Sequence, residues 1–567
     1  MATDREATPL RHRHDQGWIS TASADPDMPA LVLGEQLRGD ESSHSPAHAL
    51  ETPPFVPFSG HGPSTQISQS LDQIDGHYAQ LFGGSSESDP WLLRHCRFDK
   101  LGLRRFLKVH FRTAGGVPTR DKIPAHFMIS KNNVCKGAMA ETRISGEKDF
   151  RTELARLVPP ECGPRLVQLF LTHVFPILPV LSRSQLGLTQ TQGTPDIHCL
   201  AAIPTHLLAA IYASTLPYAL NDDHLDLLYA YEKPSLAKVW RIVYELICEE
   251  IHTPHLSLLQ AALLYVHKGF EDDQRYASSD TPFIWSFIGS VVGLAHSLGL
   301  HLECGLFGIP AQEKRLRRRL WWAVYVEDKF MSLLMGRPPY IHQDEWDVTE
   351  LQDSDFDVQY SFQSEISSSS THIPFRHMTR LALIVESIQQ SLWSLKASQI
   401  LAEDLPASLQ AAKPLFDRLK AWRASISVPE LFPSDQDTNS QSVPASAFTA
   451  YNVLVIYIWR ALLRPTVMSS PPPQIIDPHE PLQDPGNFLE NFRWDFSNIP
   501  GGELYFGENV IQTSPVVREL YQAAQTCAES FVDFVSHLSY TNFAEFWFSL
   551  QAPSAENAIR AKRTLDR

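Results

Sequence analysis

One segment constrains the fold of this chain more than any other: residues 315–348, which read RLRRRLWWAVYVEDKFMSLLMGRPPYIHQDEWDV. No residue before Gly336 breaks a helix, so the segment predicts about 20 residues of continuous helix, roughly 30 Å long. Gly336 stands where a left-handed helix end is expected, and Pro338 and Pro339 prevent continuation. Because apolar side chains lie on every side of this helix, we expect it to be buried inside a large fold.

The charged residues of this segment need partners. Arg317 to Arg319 open the predicted helix, where cations oppose the helix dipole, so we expect them to pair with an acidic surface. Asp328 lies in the apolar part, where an unpaired carboxylate is costly. Its candidate partners are Arg337, Arg318 and Lys329. We hypothesise that Asp328 and Arg337 fix the turn after the helix; the alternative is that both are exposed to solvent.

Size and charge limit the classes of protein to consider. The chain has 567 residues and a formal net charge of −16, with a pI near 5.8. An acidic chain is repelled by phosphate backbones, so nucleic-acid binding would have to be local. Residues 1–18 lack the apolar run of a signal peptide. Two apolar stretches, Phe283–Leu302 and Val443–Trp459, are interrupted by polar residues and predict buried helices rather than membrane spans, so we expect a soluble intracellular protein without a membrane contact.

The cysteines argue against a thiolate zinc site. There are seven, and no two lie closer than 27 residues in the sequence. Zinc sites of this kind need cysteines two to four residues apart, so that one turn presents two sulfurs to the ion. We therefore expect scattered reduced thiols in the core.

Residues 1–90 differ in composition from the rest. They are rich in Ser, Pro, Asp and His and carry 13 acidic residues against 4 arginines. Such a composition buries too little apolar surface to offset the entropy of ordering, so we predict a disordered acidic tail.

Residues 91–150 reverse this charge. Ten Lys or Arg and two Asp lie between Arg94 and Lys131, interleaved with phenylalanines. Three interpretations remain open: a folded segment with inward-facing phenylalanines, a nuclear import signal, or direct contact with nucleic acid. The candidate residues for import or nucleic-acid contact are Arg94, Arg97, Arg104, Arg105, Lys108 and Arg112.

Residues 151–550 predict an all-α domain. Long apolar or amphipathic segments alternate with short Pro, Gly and Asp turns, without an alternating strand pattern or a Gly-rich phosphate loop. Irregular loops are expected near 361–371, 434–447 and 468–488, and a polar tail at 551–567. Apolar residues recur at helical spacing from Met378 to Leu395; we interpret this stripe as core packing, with a homodimer as the alternative.

Five elements in this order resemble the regulatory middle homology region of fungal zinc-cluster transcription factors, also called the xylanolytic-activator or fungal-specific transcription factor domain. They are RLVQLFLTHVFPILPVLSR, HLLAAIYAST, HLSLLQAALLYVH, GSVVGLAHSLGL and RRRLWWAVYVEDKFMSLLMGRPPYI. The residues that carry the last signature are Arg318, Arg319, Trp321, Trp322, Asp328, Gly336, Arg337 and Pro338. SESDPWLLRH and FRTAGGVP are further similar to a segment of fungal nitrogen-assimilation coregulators.

This resemblance implies a nuclear regulator of RNA polymerase II transcription that acts through a helical regulatory scaffold. The six closely spaced cysteines of the family's zinc cluster are missing here, so we expect no cofactor in this chain and zinc only if a cluster precedes it. DNA would be reached weakly or through other transcription factors or coregulators. Two explanations stay open: a recruited coregulator, or a factor without its DNA-binding module. The end also departs from the family, because QAPSAENAIRAKRTLDR follows TNFAEFWFSL where an apolar continuation is expected.

Two other classes are weighed. An all-α enzyme of the terpene-synthase type needs paired aspartates on one helix to hold magnesium and diphosphate. The pairs at Asp222–Asp223 and Asp272–Asp273 lack the third carboxylate of such a site, so we predict that the chain is not an enzyme. A cytosolic protein-interaction scaffold differs from a coregulator only in where it acts.

Overall fold

The computed structural model describes residues 69–81, 102–106, 109–114, 125–132, 149–188, 195–230, 233–268, 281–356, 373–426, 445–468 and 515–538, with isolated residues between 93 and 99. The predicted loop at 361–371 and the tail at 551–567 lie outside these residues, as does most of the predicted tail at 1–90. Of the other two predicted loops, only 445–447 and 468 are described, and both belong to a helix.

The described residues are mostly helical, which confirms the predicted fold class. Their α-helices are α1 Phe150–Leu157, α2 Gly163–Leu169, α3 Ile197–Ala202, α4 Thr205–Thr215, α5 Asp223–Tyr229, α6 Leu236–Glu250, α7 Leu256–Val266, α8 Thr281–Ser297, α9 Ala311–Met335, α10 Ile373–Ile388, α11 Leu395–Ile400, α12 Leu405–Ala424, α13 Ala445–Met468 and α14 Pro515–Ser536. Wider π-helical turns extend α2 through Phe170–Val174 and α10 through Gln389–Trp393.

A four-stranded antiparallel sheet precedes the helices, and the sequence did not predict it. Its strands are β1 His77–Leu81, β2 Leu103–Phe106, β3 Val109–Ala114 and β4 Ala125–Lys131, in the spatial order β1-β4-β3-β2. The inner strand β4 is buried on both faces, with Phe127 and Ile129 on one side and His126 and Ser130 on the other. Because β1 lies within the range predicted as a disordered tail, that prediction is wrong for residues 69–81.

The sheet has a small core of its own. Phe127 and Ile129 of β4 pack with Phe307 and Ile309 from the loop before α9. Gly299, after α8, has a φ of +68°, and a Cβ at this position would lie 2.9 Å from the Phe127 ring. The glycine therefore meets two needs, a left-handed backbone and a close approach to the sheet.

Helix α9 is the central helix, and its end follows the sequence prediction closely. It begins at Ala311, four residues before the predicted start, and ends at Met335. Gly336 has a φ of +63°, its N–H donates to the Leu333 carbonyl and the Arg337 N–H donates to the Ser332 carbonyl. These two bonds form a Schellman motif, the ending that the glycine predicts.

The apolar stripe of α10 faces the interior. Met378, Leu381, Val385 and Ile388 are buried in the main core, as interpreted, whereas Leu395 is 78% exposed. Within the described residues, one helix is long and apolar enough to cross a membrane by length and composition, Ala445–Thr466. Half of its most apolar stretch is buried inside the fold, and the core helix of a soluble protein can be equally long and apolar.

Candidate functional site

Three consecutive charged residues lie in the C-terminal half of α9, and all are buried. Glu327, Asp328 and Lys329 are each 1% exposed or less, although they are flanked by the apolar residues Val326 and Phe330. Burying three charges is costly unless each one is paired or hydrogen-bonded. Their partners come from three other parts of the chain: His267 after α7 for Glu327, at 3.0 Å, α10 for Lys329, and the turn after α9 for Asp328.

Lys329 is the centre of this network. Its Nζ lies 3.0 Å from Glu386 Oε1 of α10 and 3.6 Å from Asp328 Oδ2. It also donates to the Ile341 carbonyl at 2.6 Å. The Tyr325 hydroxyl donates to the other oxygen of Glu386 at 2.8 Å. Burial, together with the Glu386 charge, raises the pKa of Tyr325 above its ordinary value, so the phenol stays a donor.

Asp328 fixes the turn after the helix, as hypothesised, but through different partners. Its two oxygens accept hydrogen bonds from the backbone N–H groups of Tyr340 at 2.8 Å and Ile341 at 3.1 Å. Burial nevertheless raises the pKa of Asp328, against the opposing effect of Lys329 and the two amides. Within residues 281–356 we find no ion pair or hydrogen bond between Asp328 and Arg337, so that part of the hypothesis is wrong.

Arg337 instead stacks on an aromatic ring. Its guanidinium carbon lies 5.5 Å from the centroid of Trp285 on α8, and Tyr340 stacks on the same ring at 4.5 Å. Gln389 donates to the Arg337 carbonyl at 2.6 Å and accepts from the Ser332 hydroxyl at 2.9 Å. The backbone of the turn is therefore held by α9 and α10, and its side chains by α8. Gly336 and Pro338 lie at the surface of this turn.

The three consecutive arginines Arg317 to Arg319 lie in the second and third turns of α9, because the helix begins earlier than predicted. Arg317 pairs with Glu313 at 2.9 Å and donates to the Leu298 carbonyl. Arg319 is buried and donates to the carbonyls of Asp355 and Leu181. Their partners are thus groups of the same chain inside the fold, where the sequence had predicted an acidic surface.

Arg318 forms the second ionic centre of the site. Its guanidinium contacts Glu303 at 2.7 Å and Asp355 at 3.0 Å. Glu303 also accepts from the backbone N–H and the hydroxyl of Thr349. Burial acts in the opposite direction, but the bonds from Arg318 and Thr349 outweigh it and lower the pKa of Glu303 to about 2.

Both tryptophans of the signature are buried, in agreement with the sequence prediction. Trp321 is 0% and Trp322 is 1% exposed. The ring of Trp346 lies 6.0 Å from Trp321 and 5.6 Å from Trp322, between centroids. Trp322 Nε1 donates to the Thr349 carbonyl at 2.9 Å, so the segment after the GRPP turn is held against the helix.

Of the six candidate contact residues in the basic segment, the structure describes the side chains of Arg112 and Arg104. Arg112, on β3, is 4% exposed and donates to the carbonyls of Ser70, Gln69 and Gly308, so it joins the sheet to the loop before α9. A guanidinium used in this way is not available to nucleic acid, and the prediction for Arg112 is wrong. Arg104, on β2, is partly exposed. Arg94, Arg97 and Lys108 lie outside the described residues, as does the side chain of Arg105.

A third cluster, which the sequence did not predict, joins the ends of three helices. Glu250, the last residue of α6, has Oε2 at 3.2 Å from His206 Nδ1 and at 3.2 Å from His255 Nε2. These two bonds and the two imidazole charges lower the pKa of Glu250, although burial opposes them. Because 44 residues separate His206 from Glu250, their spacing gives no local signal. Three such ligand atoms close together can hold a metal ion.

Asp222, from the first of the two aspartate pairs considered for a terpene-synthase-type site, has a structural role. Asp222 caps α5 by accepting from the N–H groups of His224 and Leu225, and it pairs with Arg165 at 3.0 Å. These bonds occupy the carboxylate that a diphosphate–magnesium site would need. The second pair, Asp272–Asp273, lies outside the described residues.

Residues 167–424 match the family model described as the fungal specific transcription factor domain. An uncharacterized transcriptional regulatory protein of Schizosaccharomyces pombe is 29% identical over 67% of this chain and 56% of its own length. The transcriptional activator protein DAL81 of Saccharomyces cerevisiae is 26% identical over 55% of this chain and 34% of its own length. Cutinase transcription factor 1 beta of Fusarium vanettenii is 26% identical over 49% of this chain and 30% of its own length.

These comparisons confirm the resemblance drawn from the sequence, and the matched region contains both ionic centres of α9. The chain spans about half or less of the length of these relatives. No solved structure matches it.

Proposed function

Because residues 167–424 carry a fungal specific transcription factor domain, we propose that this chain regulates RNA polymerase II transcription in the nucleus through its helical domain. One observation carries the proposal: the matched region contains α9, whose signature residues Trp321, Trp322 and Arg319 are fully buried in the centre of the domain. The relatives described as transcriptional regulators and activators support it.

In this proposal the domain is a scaffold that transmits signals between partner proteins, rather than a catalyst. The polar groups of α9 support this, because Lys329, Arg318 and Asp328 are occupied by internal partners and two of them, Lys329 and Asp328, are also excluded from solvent. The relatives are transcription factors, which fits a protein that is not an enzyme. Other transcription factors or coregulators are the partners we propose.

We propose further that the chain reaches promoters mainly through a DNA-bound partner. Its net charge of −16 disfavours contact with phosphate backbones. Within the described residues, Arg112 of the basic segment is committed to the sheet. Among the six candidate contact residues of that segment, this leaves the partly exposed Arg104 as the one with a described side chain that could reach DNA.

The test combines chromatin immunoprecipitation of the tagged full chain with gel shifts of the purified chain on the enriched promoter fragments. We expect promoter occupancy in cells and no sequence-selective shift by the purified chain. The control is Lys420→Ala, on the exposed face of α12. A selective shift that is lost in Arg104→Ala but kept in this control would show that the chain reads DNA directly and is not recruited by a partner. Absence of promoter occupancy would overturn the function itself.

A further inference from the structure

Three helix ends meet at a cluster of two histidines and one glutamate. His206 is the second residue of α4, Glu250 is the last residue of α6, and His255 immediately precedes α7. The connection between α6 and α7 is only five residues long, so Glu250 and His255 are held close together. His206 comes from a separate part of the chain and packs against both.

The distances suit a single metal ion. Glu250 Oε2 lies 3.2 Å from His206 Nδ1 and from His255 Nε2, and all three ligand atoms are within 4.8 Å of one another. In a tetrahedral zinc site with bonds of roughly 2.0–2.1 Å, the ligand atoms lie roughly 3.3 Å apart. Two edges of the triangle already have this length, and the third, between the two imidazole nitrogens, is at most 4.8 Å.

The outer nitrogen of each imidazole already has a partner. His255 Nδ1 bonds to the Thr253 carbonyl, and His206 Nε2 lies 3.1 Å from the Ser257 hydroxyl. A carbonyl only accepts, so His255 Nδ1 carries the proton, and in the neutral ring the lone pair of Nε2 points at the Glu250 carboxylate. Histidines that ligate metals are oriented by such outer hydrogen bonds.

The inner nitrogen of His255 lacks a neutral explanation, because the proton on Nδ1 leaves the lone pair of Nε2 facing Glu250. The side chain of His206 is only 2% exposed, and its Nδ1 lies 3.2 Å from Glu250 Oε2, where it can carry a proton or bind an ion while the Ser257 hydroxyl occupies Nε2. A lone pair facing a carboxylate is unfavourable unless a positive charge, either a proton or a metal cation, lies between them. A divalent ion can satisfy both imidazoles and the carboxylate at once, whereas each proton satisfies one pair.

We propose that His206, Glu250 and His255 bind one divalent transition-metal ion of the zinc class, with water as its fourth ligand. Two imidazole ligands select zinc, cobalt or nickel over magnesium and calcium, which prefer oxygen ligands. The ion joins α4, α6 and α7, and so ties together the first half of the domain. Asp72 accepts a bond from the Leu256 N–H at 2.6 Å and lies close enough to act on the charge of His255, so it links the site to the segment before β1.

The test uses the full chain without an affinity tag, stripped with a chelator and titrated with zinc chloride by calorimetry. We expect one tight site with a Kd below about 1 µM, and a rise in Tm with zinc that magnesium does not produce. Cobalt in the same site gives the strong visible absorption of a tetrahedral ion. Glu250→Gln, His255→Asn and His206→Gln each weaken zinc binding about tenfold or more.

The matched control is His252→Gln, which removes an exposed histidine from the same connection and leaves binding unchanged. Circular dichroism checks the fold of each variant. Glu250 and His255 are partly exposed, so their variants decide the question even if His206→Gln unfolds. Equal zinc affinity in all four variants, or no heat and no Tm change with zinc at about 100 µM, overturns the proposal.

Discussion

Lys329 of α9 and Glu386 of α10 form a buried ion pair, with 3.0 Å between Nζ and Oε1. Both side chains are buried. The Tyr325 hydroxyl donates a further hydrogen bond to Glu386, and Lys329 donates one to the Ile341 carbonyl. A pair of this kind adds little stability beyond that of apolar residues of the same size, but losing one partner leaves a buried charge. It therefore fixes how α9 and α10 meet more than it stabilises the domain.

Replacing Lys329 alone is expected to destabilise the domain severely. Lys329→Met leaves the carboxylates of Glu386 and Asp328 facing each other in the core, which costs about 3–5 kcal/mol of unfolding free energy. Urea titration followed by tryptophan fluorescence measures the loss. The double variant Lys329→Met with Glu386→Gln recovers part of it, because the Tyr325 hydroxyl can still bond to the amide oxygen.

The control for this experiment is Lys420→Met, which removes an exposed lysine from the surface of α12 and changes stability by less than about 0.5 kcal/mol. If Lys329→Met falls within about 1 kcal/mol of the wild type, the pair is not the organising contact between α9 and α10. An unrecovered loss in the double variant would contradict the coupling between the two residues.

Two glycines with open surroundings provide a second prediction. A Cβ added at Gly336 or at Gly293 meets nothing within 4 Å, but Gly336 has a φ of +63° whereas Gly293 lies inside α8. Gly336→Ala is expected to cost about 1–2 kcal/mol, since alanine disfavours the left-handed backbone. Gly293→Ala is expected to gain about 0.5–1 kcal/mol, because alanine is the better helix former.

Thermal unfolding of the two variants beside the wild type measures both effects, and the opposite signs exclude a general effect of an added methyl group. Gly336→Asn is expected to fall between alanine and glycine, because asparagine tolerates the left-handed region. Equal Tm values for Gly336→Ala and the wild type would mean that the end of α9 relaxes without strain.

What the sequence predicted well is local. The length and end of α9 follow from residues within the segment itself, because an unbroken apolar run and the Gly336–Pro338 signal need no knowledge of the rest of the chain. The five elements of the family resemblance are local as well. For the same reason Asp328 could be predicted to have a partner, while the identity of that partner could not.

The remaining features are set by contacts between distant residues. The strand β1 pairs with β4, about 50 residues later, and basic residues conceal the pattern of β2 and β3. Arg319 bonds to the carbonyl of Leu181, which is 138 positions away. The cluster of His206, Glu250 and His255 also forms only in the folded chain. Each of these would need the topology before it could be predicted.

The pair of Glu303 and Arg318 predicts a change in stability at acid pH. The pKa of Glu303 is about 2 in the folded chain and 4.5 as its ordinary value, so the unfolded state binds the proton first. The stability from this pair is present above about pH 4.5 and is lost as the pH falls toward 2. Glu303→Gln is expected to lower the unfolding free energy at pH 7 and to remove this part of the acid dependence.

Urea titrations at pH 7 and pH 3.5 measure this effect as the difference between wild type and variant at each pH. The control is Glu350→Gln, which changes an exposed glutamate nearby and leaves the acid dependence as it is. A constant difference between wild type and Glu303→Gln at both pH values would show that Arg318 does not depend on the charge of Glu303.

His301 predicts a second dependence, at higher pH. Burial, with the neighbouring His296 charge as a smaller cause, lowers the pKa of His301 to about 4 from an ordinary value of 6.5. Its ring lies 6.1 Å from Trp321, between centroids. The folded chain holds His301 neutral while the unfolded chain protonates it, so stability is full above pH 6.5 and falls as the pH drops toward 4.

The change expected from His301 over this range is on the order of 2–3 kcal/mol. His301→Gln cannot gain a proton, so its unfolding free energy approaches that of the wild type as the pH falls from 7.5 to 4.5. The control His342→Gln removes an exposed histidine from the segment after the GRPP turn and follows the wild type at every pH. Parallel curves for wild type and His301→Gln would mean that His301 gains its proton at the same pH in the folded and unfolded chains, and the packing of Trp321 would then have to accommodate an imidazolium.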